Sequence, residues 1–153
     1  MKFKIFWVVL FLALISCQSQ QTGEQAPSVE YLTSDLSANR PFSEAVRVGN
    51  LLILSGQIGR NPETGALPPG GIKPETKQTM ENIKRTLKKY GSSLDRVVKC
   101  TVMLADISEW SSMNEVYVTY FPDHKPARSA FGTSGLALGA RLEIECWATV
   151  KYE

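Results

Sequence analysis

A strict alternation from Arg141 to Tyr152 is the tightest constraint this chain places on its own fold. Leu142, Ile144, Cys146, Ala148 and Val150 share one phase, and Arg141, Glu143, Glu145, Trp147 and Thr149 the other. A period of two means a strand with one face to bury, and a lone strand has nothing to bury it against. The pattern therefore demands a sheet and a covering layer. Two helical patterns can supply that layer. From Pro74 to Tyr90, Thr76, Met80, Ile83, Leu87 and Tyr90 recur at four-three spacing. Pro74 suits a first turn there, and Gly91 a C-terminal cap. Ser108 is placed to cap a second helix, with Trp110, Met113, Tyr117 and Tyr120 along one side until Pro122 stops it.

The remaining strands follow from the same logic. Ala45–Val48, Gly49-Asn50 and Leu51–Leu54 read as a hairpin whose turn suits positive φ, and the second strand runs on into Ser55-Gly56-Gln57-Ile58. Val97 to Ala105 is predicted as a strand with Val98, Cys100, Val102 and Leu104 on one face, and Ala127 to Thr133 as another. The order ββ, α, β, α, ββ predicts an α/β (α+β) domain, a mixed sheet covered on one face by two helices. Trp147, Glu143 and Glu145 then face away from the helices. A tryptophan in that phase points to a bare face covered by further copies of the chain.

The first seventeen residues follow a different rule. Lys2 and Lys4 precede an unbroken apolar run, Ile5 to Ile15, too short for a comfortable membrane span. Leu14-Ile15-Ser16-Cys17 resembles the bacterial lipobox, in which the cysteine is lipidated and becomes the first residue of the mature chain. Several acyl chains make such an anchor durable. Gln18 in the next position resembles the outer-membrane-sorting pattern of Gram-negative lipoproteins. The expected organisation is a signal peptide at 1–16, a lipid-anchored polar tether at 17–38, whose last part can join the domain through the apolar bodies of Tyr31 and Leu32, and a domain at 39–153, located at the cell envelope and, if the cell is Gram-negative, on the periplasmic side of the outer membrane. Without residues 1–16 the formal charge of +2 vanishes, leaving 15 basic against 15 acidic residues.

Composition narrows the chemistry. A chain of 153 residues makes one domain with a core large enough to fold unaided. Three cysteines and the single His124 cannot complete a four-ligand zinc site without carboxylates. There is no Walker loop, no nucleophile elbow and no dinucleotide fingerprint; the glycines from Gly132 to Gly139 match neither phosphate motif. Lys84, Arg85, Lys88 and Lys89 read as a solvated helix end rather than a nucleic-acid patch. What remains is a site working through charge, orientation and a held water, with no metal and no cofactor. Its best candidate is Arg128, which opens a strand of otherwise small or apolar residues. An arginine there needs a partner: either an internal carboxylate, Glu143 or Glu145, or the carboxylate of a ligand.

Read together, Pro41–Asn50, Ser55–Ile58, Pro62–Gly65, Asn82, Val98–Val102, Asn114–Tyr117, Pro126–Ser129 and Glu143–Glu145 resemble the RidA (YjgF-type) family, over nearly all of residues 39–153. The resemblance implies a chorismate-mutase-like fold and a homotrimer with sites between subunits. It also implies hydrolysis of reactive enamines and imines, such as 2-aminoacrylate, to 2-keto acids and ammonia, as in 2-iminobutanoate/2-iminopropanoate deaminases. By the same resemblance, Arg128 holds the substrate carboxylate and Glu143 attends the attacking water. Gly56 and Ala130 contribute backbone groups, with Ser55 and Asn114 nearby. Two positions depart from the family pattern: Phe42 replaces a phenol and Ala130 a cysteine. A non-catalytic carboxylate-binding or chaperone-like member of the same fold is the alternative.

Overall fold

The computed structural model describes residues 26–34 and 39–150. The hairpin forms as its turn chemistry dictates: β2 (Ala45–Val48) pairs antiparallel with β3 (Leu51–Leu54), and Gly49 takes φ 57° in the turn. In front of it lies a strand the pattern did not announce, β1 (Val29–Leu32), paired antiparallel with β2. The sheet thus begins inside the segment expected to be tether. Val29 and Tyr31 are exposed and only Leu32 packs on the core, so β1 is held by backbone pairing and carries no burial period to read. The predicted signal peptide and Cys17 lie outside the described residues.

After β3 the chain makes a short strand, β4 (Gln57–Ile58), then α1 (Ile72–Lys89), β5 (Val97–Leu104), α2 (Trp110–Tyr117), β6 (Ala127–Gly132) and β7 (Leu142–Thr149). The sheet order is β1-β2-β3-β7-β5-β6, with β4 also on β7. Among the described residues only β5 and β6 run parallel, joined through α2. Helix α1 starts two residues before Pro74, which sits in the first turn as expected. It ends in a Schellman motif: Ser92 N–H reaches Leu87 O at 2.8 Å and Gly91 N–H reaches Lys88 O at 3.3 Å, with Gly91 at φ 78°.

Both helices lie on one face of the sheet. Met80, Ile83 and Leu87 from α1 and Met113 and Tyr117 from α2 join Leu52, Leu54, Cys100, Val102, Leu104, Leu142, Ile144, Cys146 and Ala148 in a single core. Every inward residue of the alternating β7 pattern is buried, while Trp147 on the other face remains 40% exposed. Two local expectations change. A bulge between Val97 and Lys99 rotates the start of β5, so Val97 is buried and Val98 exposed. Ser108 caps nothing: Asp106 caps the 3-10 turn Ile107–Glu109 that leads into α2, its carboxylate accepting the Ser108 N–H at 2.9 Å, and α2 itself has no side-chain cap.

Candidate active site

On the helix side of the sheet the site is built around Arg128. In parallel register with the buried Cys100, Arg128 on β6 shares the core-facing side of the sheet and lies beneath α2. Its Nη1 donates to Asn114 Oδ1 at 2.6 Å, and its guanidinium carbon lies 4.7 Å from the Tyr117 ring centre and 5.6 Å from that of Trp110. Neither glutamate considered from the sequence pairs with it: among the described residues Arg128 makes no ion pair. Ala130, two residues on, shares the same face and packs on the core. Trp110 is 38% exposed, not buried as its helical spacing predicted, because it covers the guanidinium at the sheet edge.

Below the guanidinium lies the buried core, where the Tyr117 hydroxyl and two thiols are set among apolar side chains. The Tyr117 hydroxyl is buried, and burial, helped by the neighbouring Cys100 thiol, pushes its pKa up. Cys100 and Cys146 stand directly opposite one another on β5 and β7 as free thiols. A hydrogen bond with Cys100, together with burial, raises the pKa of Cys146 well above the ordinary thiol range.

Glu143 belongs to the other face. It alternates with the buried Leu142 and Ile144 and stands in register with Met103 on one neighbour and Ile58 on the other. The backbone beside it is shaped by a register change. Ile53 pairs with Trp147 and Gln57 with Ile144, so three residues, Leu54, Ser55 and Gly56, stand opposite only two on β7. The extra residue buckles the strand and brings the Gly56 backbone against the Glu143 carboxylate. A Cβ at Gly56 would lie 2.7 Å from Glu143 Cδ and closer still to Oε1, so only glycine leaves room for this carboxylate.

Other contacts fix that buckle. The Ser55 hydroxyl donates to Ser43 O at 2.7 Å, and Ser55 N–H to Glu44 O at 3.1 Å. Asn82 on α1 donates to Ile58 O and Arg60 O, each at 2.9 Å. The buried Glu75 accepts Arg141 N–H at 2.7 Å just ahead of β7. Phe42 is half exposed, with the Arg40 guanidinium 6.0 Å from its ring centre. The nominated residues therefore form two groups. Arg128, Asn114 and Ala130 lie on the helix side; Ser55, Gly56 and Glu143 surround the buckled strand and the open face of the sheet. Sequence reasoning missed Trp110 and Tyr117 as partners of Arg128, reading them as core, although their spacing with Asn114 put all three on one helical face.

A mixed sheet with two helices on one side, an arginine held by an amide oxygen and two rings, and a glutamate against a glycine backbone define an α+β protein with a small polar site. The profile of the family described as Endoribonuclease L-PSP matches residues 32–150, and the chain belongs to this RidA/YjgF family, with its chorismate-mutase-like fold. It is 44% identical over 108 residues to the mouse protein named 2-iminobutanoate/2-iminopropanoate deaminase, a match covering 71% of this chain and 80% of the relative. It is 37% identical over 138 residues to the Arabidopsis thaliana protein named Reactive Intermediate Deaminase A, chloroplastic, covering 90% of this chain and 72% of the relative. The crystal structure of RidA from an Antarctic Psychrobacter species superposes with a TM-score of 0.70 at 36% identity, covering 82% of this chain and 99% of that one.

Proposed function

We propose that the protein hydrolyses 2-imino acids and their enamine tautomers to 2-keto acids and ammonia, in sites shared between neighbouring copies of a homotrimer. The observation that carries this reading is the state of Arg128: its guanidinium is fixed by an amide oxygen and two aromatic faces, so its charge is left for an anion. A substrate carboxylate matches the guanidinium fork.

The chemistry then follows. An enamine is protonated at C3 to give the imine. A water held by Glu143 attacks the imine carbon, its proton passing to the carboxylate while the C=N electron pair moves to nitrogen, which is protonated in turn. The carbinolamine hydroxyl then passes its proton to the nitrogen by way of the Glu143 carboxylate, the freed oxygen pair forms the C=O as the C–N bond breaks, and ammonia and the 2-keto acid leave. No metal or cofactor enters any of these steps. Imines hydrolyse slowly unaided, so holding carboxylate and water in register is itself a source of acceleration. Gly56 and Ala130 line the site through their backbones, with which the absence of a thiol at Ala130 is compatible. Phe42 supplies a ring without a hydroxyl.

Arg128 and Glu143 lie on opposite faces of one chain's sheet, so a site using both draws them from two chains. The exposed Trp147 and Phe131 support covering of the open face by further copies. The family profile's description names RNA cleavage. Against this, the single His124 is engaged with the Asp95 carbonyl at 2.8 Å, and the helix-end bases Arg85 and Lys89 are bonded to Asn82 and Glu44.

A coupled assay of 2-iminobutanoate hydrolysis tests the reading. Wild type is expected to turn over and Arg128→Ala to fall to the uncatalysed background; near-normal turnover by the variant would overturn it. Binding of 2-ketobutyrate without any hydrolysis would instead identify a non-catalytic carboxylate binder. We also propose that residues 1–16 export the chain and that Cys17 carries a lipid anchoring it at the cell envelope. Wild type should incorporate a fatty-acid analogue and sediment with membranes, and Cys17→Ser should do neither. An unlabelled, soluble wild type contradicts the anchor.

A further inference from the structure

Helix α2 is arranged around Arg128 more closely than packing requires. Trp110, Asn114 and Tyr117 are spaced i, i+4, i+7 and so share one face. All three meet one group, the guanidinium, through an amide oxygen at 2.6 Å and two rings at 5.6 Å and 4.7 Å. Any large apolar side chains would serve to seal the core here; two π faces and an amide converging on a cation do something more. The hydroxyl of Tyr117 makes no hydrogen bond to Arg128. What Tyr117 gives Arg128 is therefore its ring face.

The chemical content of this arrangement is its neutrality. A carboxylate at any of the three positions would hold Arg128 as firmly, but would cancel its charge before a ligand arrived. Rings and an amide oxygen orient the guanidinium and leave that charge intact. We propose that Trp110 and Tyr117 are positioning residues which form, with Asn114, an uncharged cradle that presents the Arg128 fork to the substrate carboxylate without neutralising it. The inference rests on the deaminase reading and adds to it the residues that keep the anion-binding charge available.

The test compares four variants of the whole chain in 2-iminobutanoate hydrolysis, in calorimetric binding of 2-ketobutyrate and in thermal unfolding. Trp110→Leu and Tyr117→Leu should each raise KM and weaken 2-ketobutyrate binding by roughly 3- to 30-fold, the range for loss of a partly desolvated cation–π contact, with kcat changed less. Tyr117→Phe, which keeps the ring, should recover most of what Tyr117→Leu loses. Asn114→Asp is the decisive change: it should raise KM by about tenfold or more while Tm stays level or rises, because the new carboxylate holds Arg128 and neutralises it. A role in packing alone predicts the reverse, with KM unmoved and losses tracking Tm. Unchanged KM in Asn114→Asp and Trp110→Leu, with wild type active, would overturn the cradle and leave the deaminase reading standing. A wild type that neither hydrolyses the imine nor binds the keto acid would overturn that reading, and the cradle with it.

Discussion

Arg128 and Gly56 show how much of the site depends on geometry that residue type alone does not convey. Lysine at 128 would keep a positive charge but not two parallel donors in a plane, and the rings of Trp110 and Tyr117 are set for a flat guanidinium. Arg128→Lys should lower kcat/KM by roughly one to two orders of magnitude, as expected for loss of a charge-assisted fork; steady-state hydrolysis of 2-iminobutanoate measures it. Gly56→Ala places a methyl group where the Glu143 carboxylate lies, so the carboxylate must move. We expect a fall in kcat of at least about tenfold, with circular dichroism and Tm close to wild type. At this scale the sequence alone nominated Arg128, since an arginine among small residues needs a partner. It could not distinguish an internal carboxylate from a ligand, because alternation turns Glu143 and Glu145 away from the helices while only the β5–β6 register puts Arg128 on the helix side. Trp110 and Tyr117 carried the spacing of a core stripe, and the same spacing serves to hold a cation.

Among the elements, those with a burial period were legible and those without one were not. Strand β7 and helix α1 announce themselves because each buries one face, and the hairpin because Gly49 accepts its turn. Strand β1 was missed because its stability comes from pairing with β2, which leaves no mark on side-chain pattern. The phase change at Val98 and the buckle at Ser55-Gly56 were missed for a related reason: a bulge is fixed by strand register, which one strand's sequence does not contain. Beyond α2, Tyr120 ties that end of the chain to α1 through Glu81 Oε1, at 2.9 Å. Burial and this carboxylate push its phenol up to about 12. A raised phenol pKa gives stability that is complete below the unfolded value near 10 and is lost as pH rises through about 12. The urea midpoint should therefore fall over that interval, and less steeply in Tyr120→Phe. A residual slope is expected from Tyr90 and Tyr117, whose values are also raised.

For the whole molecule, the proposed site turns on Arg128 and Glu143 lying on opposite faces of one sheet. One face of the sheet is sealed by two helices and presents Arg128 at its edge; the other carries Glu143 together with the exposed Trp147 and Phe131. A cyclic assembly that covers the second face can bring one chain's arginine to the next chain's glutamate. The tryptophan in the polar phase of β7, exposed on the open face, is what the sequence offers toward such an assembly. The most direct test is complementation. Arg128→Ala and Glu143→Gln should each be inactive in imine hydrolysis. Co-refolded in equal amounts, they should regain roughly a quarter of wild-type activity, the fraction of sites that receive both intact residues under random cyclic assembly. A mixture that stays at background although the two chains are shown to co-assemble, or either variant retaining wild-type turnover alone, would contradict a shared Arg128–Glu143 site.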